Sequence, residues 1–143
     1  MIISSFVQRV IIATVLALSA TMAFAQTMPG ASTVRPSGYQ AATGDPGVGR
    51  ALFNDTTLST NEMSRASCHV KHRAFSASFA KPYPHQIAMA RTQLGLKKVF
   101  LDEMVLVCML MPMAAKPLPW NSKELANLSS YVTELQKSFK PAR

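Results

Sequence analysis

Near the C-terminus, Leu125, Leu128, Val132 and Leu135 recur at i, i+3, i+7 and i+10. That spacing lays one apolar stripe along a helix, and such a stripe must be covered by another element. Asn121 and Glu124 form a capping-box-like pair at its start, Tyr131 widens the face, and Pro141 lies just past an expected end near Lys137. The stripe therefore faces the core.

The partner helix is expected near Asp45. Asp45 can cap, Pro46 suits the first turn, and Val48, Ala51, Leu52 and Phe53 give an apolar face that ends near Asn54. Phe53 and Tyr131, backed by Leu52, Leu128 and Val132, are the expected contact between the two helices. Between them the chain is less regular. Residues 56–67 are polar and turn-rich without an apolar period. Residues 73–86 carry Pro82 and Pro84, which exclude a long helix. A short helix is expected over 87–94, stopped by Gly95. The apolar run from Val99 to Met111 reads as a strand over 105–111 or as a helix from about Asp102. The acidic pair Asp102-Glu103 favours the helix, and Pro112 ends it. The fold class is all-α.

The first 25 residues have the pattern of a signal peptide. Arg9 precedes an apolar core from Val10 to Leu18, and Ala23-Phe24-Ala25 is a small-x-small cleavage site. The alternative is an uncleaved anchor, for which the core is short. Cleavage would start the mature chain at Gln26 and place it in the periplasm. Residues 26–44, rich in Gly, Ser, Thr, Ala and Pro, read as a flexible leader, and 45–143 as one domain. Losing Arg9 lowers the formal charge of +8 to +7. Such a surface suits an acidic protein partner or an anionic substrate, or serves solubility alone. Nucleic acid does not fit an exported chain without an aromatic-basic motif.

The chemistry-bearing stretch is Arg65-Ala66-Ser67-Cys68-His69. It has the spacing of the C-x-x-C-H haem-attachment motif, with Arg65 where the first cysteine would stand. In the full motif two thiols add to the haem vinyls and the histidine ligates iron. Here one thioether, at Cys68, and one ligand, His69, remain. Cys108 is the second cysteine of the chain. An even count in an exported protein also allows a Cys68–Cys108 disulfide, which would exclude attachment of haem at Cys68. Cys108 sits in an apolar run, which raises a thiol's pKa and blunts its reactivity. Sulfur ligands opposite His69 are offered by Met104, Met109, Met111 and Met113, most of which should be core. His85 is a rival, whereas His72 is too close to His69 to reach the opposite face.

Together these segments resemble the class I cytochromes c. Gly49-Arg50-Ala51-Leu52-Phe53-Asn54, then Leu58-Ser59-Thr60-Asn61 and Cys68-His69, are similar to that family's first helix and approach to haem. Lys116-Pro117-Leu118-Pro119, Ser122-Lys123-Glu124-Leu125 and Tyr131-Val132 are similar to its final loop and helix. The wording from Cys108 to Pro119 is nearest to haem domains of sulfur-compound-oxidising cytochromes. The resemblance covers about residues 45–138. It implies terminal helices crossing around one haem c, held by Cys68 with His69 as proximal ligand. It implies Met113 as the distal ligand, Met111 being second choice, and Lys71, Arg73, Lys97, Lys98 and Lys116 around an exposed haem edge. It also implies electron transfer with an acidic redox partner. Arg65 departs from the family, although one-cysteine cytochromes occur in some protists. Three functions follow as expectations: an exported electron carrier, a haem subunit of a thiosulfate-type oxidising enzyme, or a haem-free helical protein closed by the disulfide. The single motif and short chain favour a carrier over an enzyme.

Overall fold

Asp45 opens the first helix as a cap. Its Oδ1 accepts from the Gly47 N–H at 2.7 Å and the Val48 N–H at 3.1 Å, and Pro46 occupies the first turn, where no N–H is needed. A computed structural model describes residues 33–141 of the chain. The expected signal peptide, and residues 26–32 of the expected leader, lie outside the described residues. Five α-helices follow one another: α1 (Pro46–Asn54), α2 (Arg65–His69), α3 (Ala88–Leu94), α4 (Leu101–Leu110) and α5 (Lys123–Ser138). Short 3-10 turns at Val70–His72 and Ala77–Ala80 lie between α2 and α3. The described residues contain one isolated bridge, His85 with Val99, and no strand. The fold is all-α. No helix among the described residues is long and apolar enough to cross a membrane.

The helix α5 starts as its stripe requires, but the cap is Ser122, whose Oγ accepts from the Leu125 N–H at 3.1 Å, and not Asn121. Leu125, Leu128 and Val132 are buried in the core. The α1–α5 crossing is close because Gly49 has no side chain. A Cβ there would run into the Asn127 carbonyl and lie 2.8 Å from the Tyr131 Cβ. One turn further, Phe53 meets Tyr131 edge-on with ring centroids 5.3 Å apart. This is the contact expected from the sequence.

The helix α4 threads the centre. Val105, Leu106, Val107 and Met109 are all buried, so the helix is apolar around most of its circumference. Its first turn holds two buried acids, Asp102 and Glu103. Glu103 Oε2 accepts from the Phe100 N–H at 2.8 Å, which caps the helix. The remaining charge is met from upstream: Arg35 Nη1 donates to both Asp102 oxygens at 2.7 Å, and the Arg35 N–H to Glu103 Oε1 at 2.7 Å. Gly44 N–H then donates to Ser130 Oγ at 2.9 Å, and Asp45 N–H to Asn127 Oδ1 at 2.8 Å. Residues 33–44, expected to be a loose leader, therefore form a strap across α4 and α5. The low-complexity composition hid it because backbone groups and one arginine make most of its contacts.

A second difference is α2. The polar segment reads as a turn, yet Ser64 and Ser67 cap a short helix reciprocally. Ser67 N–H donates to Ser64 Oγ at 3.2 Å and Ser64 N–H to Ser67 Oγ at 3.0 Å. The box is hard to see because serine takes the place usually held by Glu or Gln.

Candidate functional site

Helix α2 projects Arg65, Cys68 and His69 toward the rest of the fold, and all three line one cavity of about 410 Å³. Phe53 and Val132 bring the α1–α5 crossing to its wall. Leu101, Met104, Val105 and Cys108 supply the α4 side, at intervals that put them on one helical stripe, and Pro112 follows just past the helix end. Phe75, Phe79, Tyr83, Ile87 and Met89 close it from the intervening segment. The wall is overwhelmingly apolar, and its volume is within the roughly 300–1,000 Å³ usual for cofactor pockets.

The His69 ring is held on two sides. Its Nδ1 lies 3.1 Å from the Arg73 carbonyl. A carbonyl can only accept, so Nδ1 carries the proton and the Nε2 lone pair is available to a metal. The ring stacks on Phe75 with centroids 4.0 Å apart, and Phe75 stacks in turn on Phe79 at 4.0 Å. Burial lowers the His69 pKa from its ordinary value; the Arg73 carbonyl works against that shift and the Arg65 cation with it. The imidazole is thus kept neutral, as a ligand must be. The chain just after it is bent by Lys71, His72 and Ala74, which adopt φ of 51°, 62° and 56°. Three non-glycine residues in this region within four positions mark stored strain beside the site.

The other polar groups are quiet. Burial pushes the Cys108 thiol up to about 11, with Arg65 pulling it partly back, so it is not a thiolate at neutral pH. Burial likewise raises the Tyr83 phenol to about 12. Cys68 and Cys108 are both free thiols on the same cavity wall, and the disulfide weighed from the sequence is not formed.

The structure separates the methionines in an unexpected way. Met113 is 2% exposed and belongs to the core with Leu106 and Met109, not to the cavity wall. Pro112 faces the cavity and Met111 is exposed, so neighbouring residues of this segment face different surroundings. The methionines on the wall are Met104, expected to be core, and Met89, which sequence reasoning missed. The apolar uniformity of α4 concealed which of its faces meets the cavity. Met109 is core, as expected. His85 is half-buried outside the cavity wall, its Nδ1 3.2 Å from the Pro82 carbonyl. Of the basic residues, Lys71 and Arg73, with His72 and Lys140, surround a separate concavity of about 470 Å³ by the end of α5. Lys97, Lys98 and Lys116 are exposed and border neither hollow.

Among the described residues no group of three or more His, Cys, Asp or Glu could hold a metal ion. A haem iron brings four nitrogens of its own and asks the protein for axial ligands only. The residues present fit such a group: a thiol and a neutral, oriented imidazole on an apolar wall. No family model, curated protein or solved structure matches the chain.

Proposed function

We propose that this chain is an exported c-type haem protein that carries electrons, with haem c held at Cys68 and His69. One observation supports the reading above the others. His69, its tautomer set by the Arg73 carbonyl, stands beside Cys68 on the wall of an apolar cavity under the α1–α5 crossing. Bound there, haem supplies a one-electron iron couple. His69 donates Nε2, Cys68 offers its thiol for a single thioether, and the aromatic wall excludes water. Phe75 holds the imidazole plane through its stacking contact. An acidic redox partner and the periplasm complete the reading, on the basic charge and the N-terminal segment respectively. Cys108, protonated at neutral pH, gives no support to thiol chemistry on a sulfur anion, so a carrier is preferred to an oxidising enzyme.

The test is export in a host with the cytochrome c maturation machinery, followed by intact mass. The expected product gains one haem at Cys68 and shows a pyridine haemochrome band at longer wavelength than a two-thioether protein. Arg65→Cys should raise the yield and shift the band back. An apo mass for both proteins would end the haem reading.

The sixth ligand is tested on the same material. Met113, Met104 and Met89 are each replaced by Ala. Loss of the weak red ferric band on Met104→Ala or Met89→Ala alone assigns the ligand to the wall. Loss on Met113→Ala alone means that Met113 leaves the core when haem binds.

A further inference from the structure

Arg65 is 4% exposed, at the start of α2. Buried arginines are normally paired. Here Nη2 donates to the Val105 carbonyl at 3.2 Å, in the middle of α4. Nε and Nη1 are buried with no hydrogen-bond partner among the described residues. Arg65 is among the residues that line the apolar cavity, and no Asp or Glu is. The two buried acids of α4 are committed elsewhere: Asp102 takes Arg35 Nη1, and Glu103 takes the N–H groups of Arg35 and Phe100. Burial lowers the Arg65 pKa to about 10, which still leaves a cation at neutral pH. An uncompensated cation in such surroundings is costly, and an anion brought into the cavity beside Arg65 would give its unmet donors a partner.

We propose that Arg65 anchors an anionic group of the cavity's guest, so that the cavity selects a largely apolar molecule bearing a carboxylate. Haem has that chemistry, since its porphyrin carries carboxylates on an apolar disc, and for that guest the inference rests on the haem reading. A long-chain carboxylate has the same chemistry and needs no haem. Arg65 would then be a specificity residue at the position where the family places a cysteine.

The experiment compares acids with their esters on the mature chain. In one arm, haem and its dimethyl ester are titrated by Soret absorbance. In the other, a dansylated undecanoic acid and its methyl ester are titrated by fluorescence. Each arm is run on the wild type, Arg65→Leu and Arg65→Lys, with circular dichroism reporting the fold. Wild type should prefer the acid by about tenfold or more, as a charge-assisted hydrogen bond gives. Arg65→Leu should remove the preference, and Arg65→Lys should keep part of it. A preference in the haem arm supports the inference with haem as guest. A preference in the fatty-acid arm with no haem binding supports the inference and overturns the haem reading. Haem bound equally well as acid and diester, with no preference in the other arm, overturns the inference and leaves the haem reading standing. No binding of any of the four probes overturns it as well. The wild-type comparison decides even if Arg65→Leu does not fold.

Discussion

His69 and Arg65 sit four residues apart on one short helix, and both are ionisable groups placed where ionisation is resisted. For His69 the consequence is a pH dependence. Burial holds its folded pKa below the ordinary 6.5, so the unfolded chain takes up the proton first. Stability from this group therefore rises with pH from the folded value up to about 6.5 and is level above it. The thermal midpoint should fall below pH 6.5 more steeply in wild type than in His69→Gln. Equal slopes would mean that His69 is not held neutral. For Arg65 the consequence is a misfit that a substitution relieves. In the absence of guest, Arg65→Leu should raise stability by about 1–2 kcal/mol in urea unfolding, because it removes two buried, unmet donors. The sequence places Arg65 where a cysteine would stand in the motif, and a long charged side chain normally carries its head to water. It does not reach water, because Val105 on α4 holds one end of the guanidinium inside. The core position of Met113 was not legible for a related reason: the chain turns at Pro112, and no local pattern encodes which of its neighbours faces the cavity.

At the scale of elements, α1 and α5 hold the site's back wall. Phe53 lies both in their interface and on the cavity, so Phe53→Ala should cost about 3–5 kcal/mol. Gly49→Ala tests the crossing itself. Its new methyl would meet the Asn127 backbone, which cannot swing aside as a side chain can. The variant should unfold at lower urea than wild type, whereas Gly47→Ala, beside only its own cap, should change little. These two helices were readable because cap, stripe and stop signals agree in each. The helix α2 was not, since it has five residues and a serine-only box. The helix α4 was readable as a helix but not in its orientation, since burial on nearly all sides erases the amphipathic signal.

Across the whole molecule, the strap at 33–44 joins the centre to the helix crossing. Arg35 is its main side-chain tie, stacked over the Phe100 ring at 4.2 Å and paired with Asp102. Arg35→Ala would leave Asp102 buried without its cation and should cost about 3 kcal/mol, the low end for a buried pair because Arg35 is 18% exposed. Adding Asp102→Asn should recover part of that loss in the same unfolding assay; a strictly additive double variant would mean that the pair is not coupled.

The strap and the crossing are both closed by pairs far apart along the chain. Gly44 reaches Ser130 and Asp45 reaches Asn127, separations of 86 and 82 residues. Such contacts cannot form until α5 has been synthesised and, for an exported chain, delivered across the membrane. The back wall of the cavity, which Phe53 and Val132 bring from the crossing, is therefore completed only after Cys68 and the rest of α2 have long been in place.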